Sequence, residues 1–246
     1  MNLSLSEDQV LIKESAEKFL SDNYSFEKRR FFLENKKVSH NNNWKSFAEL
    51  GWLGIAFNEE VGGFDGNINN LMTLMESLGS ALVLEPIIFN NLIVGKLFEK
   101  ISHENSKKHL KEIISGERVY SLLFSPNENY KNMISNSLIV KSNKDKLYVS
   151  GKYNFVLGLN EFDYLLTPLL FEDKIYVYIL KNNMDSFEIR NFETIDNLIS
   201  SEIEFNSFEL KESDLFMVVN KKDFFEKLDY IIDYATLSMW SQALGI

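Results

Sequence analysis

The stretch LYVSGKYNFVLGLNEFDYLL, residues 147–166, decides how the chain is organised. Its apolar residues alternate with other residues, which is the two-residue period of a β-strand. Gly151 interrupts the alternation and predicts a bulge or a turn, because a residue without Cβ fits best there. Gly158 ends the run, and another strand starts near Asp163. The pattern fits an ordinary hairpin, and it also fits a wall for a flat ligand.

Strand-like segments surround this stretch on both sides. They occur at residues 118–124, 137–141, 146–150, 153–157, 163–171, 174–181, 187–192 and 200–209. Asn143-Lys144-Asp145 and Glu172-Asp173 have the composition of hairpin turns between such strands. Residues 117–216 therefore predict an antiparallel β-sheet domain, barrel-like or sandwich-like, with seven or eight strands.

Residues 1–116 predict an all-helical bundle ahead of the sheet. Ser6-Glu7-Asp8-Gln9 has the form of a capping box before an amphipathic helix. The segment at residues 86–101 is apolar almost all round, as in a helix buried within a bundle. Gly51 and Gly116 fit helix ends, and EEVGGFDG at residues 59–66 predicts a Gly-rich loop.

Helical spacing returns after Asp214. Residues 217–246 predict one further helix, whose last turn carries no charge. A long helix needs a surface to pack on, so we expect this segment to be the first helix of an incomplete C-terminal helical domain. The predicted fold class is α+β: an N-terminal all-helical bundle, an antiparallel β-sheet domain and the start of a C-terminal helix.

The composition excludes several classes of function. The chain has 246 residues, is 45% hydrophobic and carries a net charge of −10, which allows a real core and argues against a nucleic-acid partner. It has no cysteine, so thiolate chemistry is excluded. His40, His103 and His109 lack metal-ligand spacing, and we expect surface histidines and no metal site. Without a signal-like start or a membrane-length apolar run, the predicted location is cytoplasmic, with no membrane partner.

Five segments, in order, resemble the acyl-CoA dehydrogenase family. WKSFAELGWLGIAFNEEVGGFDG, residues 44–66, is similar to the family's Trp…Leu-Gly-Trp-Leu-Gly…Glu-Glu-x-Gly-Gly segment and is the most specific match. MESLGSALVLEP, residues 75–86, has a form associated with the small subunit of pimeloyl-CoA-type dehydrogenases and related heteromeric steroid enzymes. The other three segments lie at residues 5–20, 149–167 and 192–210. The resemblance covers the family's N-terminal and middle domains and the start of its third.

The resemblance implies a flavoenzyme that desaturates an acyl-CoA thioester between its α and β carbons. In the family a catalytic Glu takes the α-proton, and the β-hydrogen leaves as hydride to N5 of FAD. The cofactor lies between the β-sheet domain and the C-terminal helical bundle. The implied cofactor is therefore FAD, the implied substrate is an acyl-CoA, and the implied partner is another acyl-CoA dehydrogenase chain in a homo- or hetero-oligomer.

The resemblance also places the flavin contacts on this chain. The family's two flavin-contacting segments fall on Ser125, Phe155, Val156 and Leu157. Lys131 falls in the first of these segments, which in the family also contacts the substrate. Leu157 is apolar where the family has the hydroxyl of a Thr. A flavin heteroatom left unpaired there costs on the order of 1–3 kcal/mol.

No catalytic residue is assigned, because the family's catalytic Glu lies in its C-terminal domain. Glu59, Glu60 and Glu128 are loop carboxylates, which are usually solvated. The predicted function is an FAD-dependent acyl-CoA dehydrogenase, as a truncated chain or as a subunit that lacks the catalytic Glu. The alternative is a non-catalytic structural or binding subunit of a heteromeric acyl-CoA dehydrogenase, with no flavin of its own.

Overall fold

Three layers make up the described part of the chain: helices, a first sheet and a second sheet. The computed structural model describes residues 4–34, 40–101, 104–124, 131, 134, 137–144, 146–157, 162–182, 187–195 and 199–246. One core lies between the helices and the first sheet, and another lies between the sheets. Leu166 faces the first core and its neighbour Leu165 faces the second, because successive side chains of a strand point to opposite faces. This arrangement confirms the predicted α+β class.

Six α-helices and a π-helical segment are described in the N-terminal half. They are α1 (Glu7–Asn23), α2 (Phe26–Glu34), α3 (His40–Glu49), α4 (Ile68–Ser80), the π-helical segment (Ile88–Gly95), α5 (Lys96–Lys100) and α6 (Ser106–Ile114). The capping box at the start of α1 is confirmed: Ser6 N donates to Gln9 Oε1 at 2.8 Å, and Gln9 N donates to Ser6 Oγ at 3.3 Å. These two bonds satisfy amide groups that have no partner inside the helix.

The π-helical segment differs from the single α-helix predicted over residues 86–101. The wider turn brings two fully buried amide side chains into the core. Asn90 Oδ1 accepts a hydrogen bond from Tyr120 N at 2.7 Å, and Asn91 Nδ2 donates to Leu53 O at 2.8 Å. The segment thereby ties the first sheet and the link after α3 to the bundle. A hydropathy pattern cannot separate this geometry from an α-helix.

The strands form two four-stranded sheets. They are β1 (Tyr120–Leu122), β2 (Leu138–Asn143), β3 (Lys146–Leu157), β4 (Tyr164–Phe171), β5 (Lys174–Lys181), β6 (Glu188–Glu193), β7 (Ile199–Leu210) and β8 (Leu215–Asn220). The first sheet has the order β1-β4-β5-β8, and the second has the order β2-β3-β7-β6. The hairpin turn predicted between β4 and β5 is confirmed, since Glu172 and Asp173 have φ of 49° and 66° as a two-residue primed turn requires.

The sheet domain departs from the prediction in two respects. β1 pairs with β4 in parallel, with Tyr120 opposite Tyr164, whereas the other described pairs are antiparallel. The intervening β2 and β3 belong to the second sheet, so the chain returns to β1 in the same direction. In addition, β8 occupies residues predicted to begin the last helix.

The last helix, α7 (Lys221–Gly245), begins four residues later than predicted. Asn220 caps it, and its side chain accepts a hydrogen bond from Lys222 N at 2.8 Å. The helix packs on α4, α5 and the π-helical segment. It meets α4 at backbone distance: a Cβ on Gly79 would lie 1.9 Å from Gln242 O, and a Cβ on Gly245 would lie 1.9 Å from Glu76 O. Across the described ranges, no helix is long and apolar enough to cross a membrane.

Candidate functional site

Two irregularities in β3 shape the strand that the sequence analysis singled out. The register with β7 shifts between Val149 and Gly151 and again between Tyr153 and Val156. Gly151 has φ of 133°, and a Cβ there would lie 2.5 Å from Ser137 O. Only glycine suits both the conformation and the space. The irregularity predicted at Gly151, a bulge or a turn, is therefore a register shift whose extra residue lies on β7, between the partners of Val149 and Gly151.

The second irregularity turns Phe155 outward. Its φ is 60°, in the left-handed region that a bulky side chain rarely adopts. The ring is 45% exposed, whereas Tyr153 and Val156 beside it are fully buried. Backbone strain of this kind costs roughly 1–3 kcal/mol and is found at binding and active sites.

Phe192 on β6 completes an aromatic platform with Phe155. The two ring centroids are 6.3 Å apart at an interplanar angle of 39°, and Phe192 is 43% exposed. The rings flank β7, where Ser200 lies opposite both Phe192 and Leu157. Half-exposed rings held on a rigid sheet offer faces on which a flat ligand stacks. The sequence analysis missed Phe192, because only the pairing of β6 with β7 brings it beside Phe155.

The strand edge beside the platform is open among the described residues. β2 pairs with β3 only as far as Gly151, whereas β7 pairs with β3 to Leu157. Within the described part of the chain, residues 152–157 therefore have a strand partner on one side, and the backbone N–H and C=O groups of their other edge have no strand partner there. Such groups can pair with the polar rim of a ligand.

The remaining predicted site residues do not lie together in the structure. The Val156 side chain is buried between the sheets, and its carbonyl accepts a hydrogen bond from Ser200 Oγ at 3.3 Å, so only its backbone can reach a ligand. Leu157 is described through its backbone pairing with Ser200. Ser125 lies outside the described residues. Lys131 lies at α7, where its Nζ is 2.6 Å from Asp229 Oδ2, and no described contact joins it to Phe155.

A second polar cluster links the helices to the first sheet. The Tyr120 hydroxyl donates to Glu112 Oε2 and lies 2.8 Å from His109 Nδ1, while the Phe98 ring stacks on His109. Burial, and then the bond to Glu112, raises the pKa of Tyr120 well above its usual range. His109 was predicted at the surface, but its side chain is only 17% exposed. The cluster joins α6 to β1, which gives His109 a structural role.

The loop carboxylate Glu60 is exposed, as predicted. Lys107 Nζ lies 2.7 Å from Glu60 Oε2. The hydrogen bond from Lys107 lowers the pKa of Glu60. A carboxylate that is solvated and ionised in this way is a poor general base.

The N-terminal half matches the sequence profile described as "Acyl-CoA dehydrogenase, N-terminal domain" over residues 6–117. This helical half belongs to the acyl-CoA dehydrogenase family. The chain is 30% identical over 127 residues to the mitochondrial isovaleryl-CoA dehydrogenase of Arabidopsis thaliana, a match covering 50% of this chain and 31% of that protein. The match therefore spans about a third of that curated relative.

Solved structures share the fold of this chain along its length. Glutaryl-CoA dehydrogenase from Mycobacterium smegmatis superposes with a TM-score of 0.81 at 13% identity, covering 100% of this chain and 64% of that one. The ChsE4-ChsE5 complex from Mycobacterium tuberculosis superposes with a TM-score of 0.78 at 14% identity, covering 100% of this chain and 65% of that one. At these identities the likeness shows the fold alone.

The Gly-rich loop within the matched region serves packing. Its backbone runs beside the link after α3, with Asp65 N donating to Phe57 O at 2.8 Å and Gly66 N donating to Ile55 O at 2.9 Å. A Cβ on Gly63 would lie 2.1 Å from Phe57 O. The glycines of this acyl-CoA dehydrogenase segment thus allow two backbones to touch, and the candidate ligand site remains the aromatic platform.

Proposed function

We propose that this chain supplies one wall of the flavin site of an acyl-CoA dehydrogenase that desaturates an acyl-CoA thioester. The observation that carries the proposal is Phe155, an exposed aromatic held in a strained conformation on β3. Strained residues of this kind cluster at ligand-binding and active sites. Membership of the acyl-CoA dehydrogenase family supports FAD as that ligand.

The residues present suit one face of FAD. Phe155 and Phe192 would stack against the ring system, and the open edge of residues 152–157 would offer hydrogen bonds to its polar rim. This edge compensates for Leu157, which lacks a side-chain hydroxyl. Bound FAD would supply the hydride acceptance that no side chain provides. The platform itself would orient the ring and exclude water from the face it covers.

The facing wall and the base that takes the α-proton come, in this proposal, from another acyl-CoA dehydrogenase chain in a homo- or hetero-oligomer. The similarity to the ChsE4-ChsE5 complex and to the Tcur3481-Tcur3483 steroid enzyme, with a TM-score of 0.79 at 16% identity, supports an assembly of this kind. Lys131, at α7 beside the sheet domain, remains the proposed substrate contact.

Titration of the purified chain with FAD tests the proposal directly. We expect quenching of flavin fluorescence and a shifted visible absorption band, because stacking on Phe155 takes one face of the ring out of water. Phe155→Asn should weaken FAD binding roughly tenfold, the value of a lost aromatic stack. The same variant should keep its free energy of unfolding within about 1 kcal/mol, since Asn tolerates left-handed φ and strain relief offsets lost ring contacts.

The control is Phe26→Asn, which removes an exposed ring of α2 and should leave FAD binding unchanged. The proposal fails if Phe26→Asn weakens FAD binding as much as Phe155→Asn does. It also fails if Phe155→Asn weakens FAD binding only because it unfolds the protein, since the platform would then be merely structural.

The second candidate is a structural subunit without a flavin of its own. The apolar Leu157 favours it. This candidate predicts no change in flavin fluorescence up to about 100 µM FAD, and no dye-coupled turnover with any acyl-CoA. A visible flavin band that remains with the chain through gel filtration excludes it.

A further inference from the structure

Ser200 is a buried polar residue on the outward face of the second sheet. Its neighbour Ser201 lies opposite Val156, which belongs to the core between the sheets. Because successive side chains of a strand point to opposite faces, Ser200 shares the outward face with Phe192, its partner on β6. Ser200 is nevertheless fully buried, whereas Phe192 is half-exposed.

The rings of Phe155 and Phe192 cover Ser200. β3 and β6 both pair with β7, so these two strands are about 9–10 Å apart at the usual strand spacing. The ring centroids are only 6.3 Å apart, and the rings therefore lean towards each other over β7. Ser200 lies on β7 at this point, directly opposite Phe192. A side chain as small as serine leaves room for the two rings to converge.

Ser200 also bonds to the strand that carries Phe155. Its Oγ donates to Val156 O at 3.3 Å, and Val156 directly follows Phe155. The register of β3 with β7 shifts between Tyr153 and Val156, and a bulge of this kind disrupts the regular ladder. The Ser200 hydroxyl thus provides a donor for the carbonyl at the end of the bulge.

This hydrogen bond depends on the register of the two strands. Pairing of β3 with β7 without the bulge would move Val156 by one position along β7 and take its carbonyl away from the Ser200 hydroxyl. A shift of one residue also exchanges inward-facing and outward-facing side chains. The bond therefore favours the register in which Phe155 points outward, and it offsets part of the strain of a φ of 60°.

We propose that Ser200 is a positioning residue of the aromatic platform: its hydroxyl holds the bulge of β3, and its small size lets Phe155 and Phe192 converge. Ser200 acts through the two rings, since they cover it. The platform then exists before a ligand arrives, which lowers the cost of ordering it on binding. The inference rests on the proposed function for the identity of the ligand, FAD, and on the geometry of β3 and β7 for the rest.

Nuclear magnetic resonance of the full chain, labelled at phenylalanine, tests the positioning without any flavin. A positive φ brings the amide proton of a residue close to its own α-proton, so Phe155 should give a strong cross-peak between these two protons. The cross-peak is identified by its absence in Phe155→Asn. Ser200→Ala should weaken it, because the strand then also populates a register without the bulge.

The matched control is Ser201→Ala, which removes a hydrogen bond from Ser201 Oγ to Asn191 Oδ1 at 2.6 Å and should leave the Phe155 cross-peak unchanged. An unchanged cross-peak in Ser200→Ala overturns the proposal. A cross-peak that Ser201→Ala weakens equally also overturns it, because the effect would then be a general loosening of β7. Circular dichroism confirms that each variant is folded before it is compared.

FAD titration measures the effect of this positioning on the proposed site. Ser200→Ala should weaken FAD binding about fivefold, the value of one hydrogen bond, because only the chains with an outward Phe155 bind the ring. Ser201→Ala should bind FAD as wild type does. In the Phe155→Asn background, Ser200→Ala should weaken FAD binding no further, since the ring that Ser200 positions is absent. An equal loss in both backgrounds would mean that Ser200 does not act through Phe155, and the proposal would fail.

The two readouts separate this inference from the proposed function. If wild type binds no FAD while Ser200→Ala weakens the Phe155 cross-peak, the flavin proposal fails and the positioning role stands. If wild type binds FAD and the cross-peak is the same in wild type and Ser200→Ala, the positioning role fails and the flavin proposal stands.

Discussion

Replacing Gly79 by Ala is expected to destabilise the protein by roughly 2–3 kcal/mol, because the added methyl group overpacks the contact between two helices. Replacing Gly79 by Val should destabilise it more. The new Cβ would lie 1.9 Å from Gln242 O, a backbone atom that moves only if α7 moves. Helix propensity predicts the opposite sign, because Ala is favoured over Gly inside a helix by about 1 kcal/mol. The direction of the effect therefore separates the interhelical contact from local propensity.

Urea denaturation measures this effect, and hydrogen exchange of α7 amides localises it. Ser80→Ala is the matched control, since Ser80 is the exposed next residue of α4 and its Cβ is already present. Gly245→Ala should cost less, because it lies in the last turn of α7, where helices fray. In the double variant Gly79→Ala with Gly245→Ala, the second substitution should add little to the loss of stability, since the first has already moved α7 away from α4. Equal or greater stability of Gly79→Ala would disprove the close contact.

Elements that are encoded by neighbouring residues were predictable from the sequence. The Ser6–Gln9 capping box, the Glu172-Asp173 turn and the positive φ of Gly151 each depend on side chains or φ angles within a few positions. The parallel pairing of β1 with β4 was not predictable, because the local sequence of a strand does not determine which other strand it pairs with. Residues 215–220 also alternate weakly enough to fit either a strand or the start of a helix.

The candidate site likewise has one part that could be predicted from the sequence and one part that could not. Phe155 was singled out because the family's flavin-contacting segment falls on it, and its exposure follows from a bulge within its own strand. Phe192 is 37 positions away in the sequence and reaches Phe155 across β7, so only the sheet order reveals the platform. The contact of Gly79 with Gln242 joins residues that are separated by about two thirds of the chain, and neither helix pattern indicates it. Contacts between residues that are distant in the sequence are therefore the part of the structure that could not be predicted.

Replacing Glu85 by Ala is expected to cost roughly 2–4 kcal/mol. This carboxylate is buried before the π-helical segment and ties three elements together. The Tyr24 hydroxyl donates to Glu85 Oε2 at 2.8 Å, and Asn43 Nδ2 donates to Glu85 Oε1 at 2.9 Å. Truncation leaves both donors buried without this acceptor, at about 1–3 kcal/mol for each unsatisfied group. Glu85→Gln, which keeps the size and one acceptor, is the graded control and should cost about half as much.

Replacing Tyr24 by Phe should lower the free energy of unfolding by roughly 2 kcal/mol near neutral pH. Measuring this difference at alkaline pH tests the same network. Burial, and then the charge of Glu85, raises the pKa of Tyr24 far above its ordinary value of 10.0. The unfolded chain therefore loses the Tyr24 proton from about pH 10, while the folded chain keeps it. Because the folded state then binds more protons, the stability due to Tyr24 is complete below pH 10 and falls as the pH rises further. The difference in unfolding free energy between wild type and Tyr24→Phe should shrink by about 1.4 kcal/mol per pH unit above pH 10. A difference that stays constant across this range would mean that Tyr24 ionises equally in both states, and the network would then carry none of the stability assigned to it.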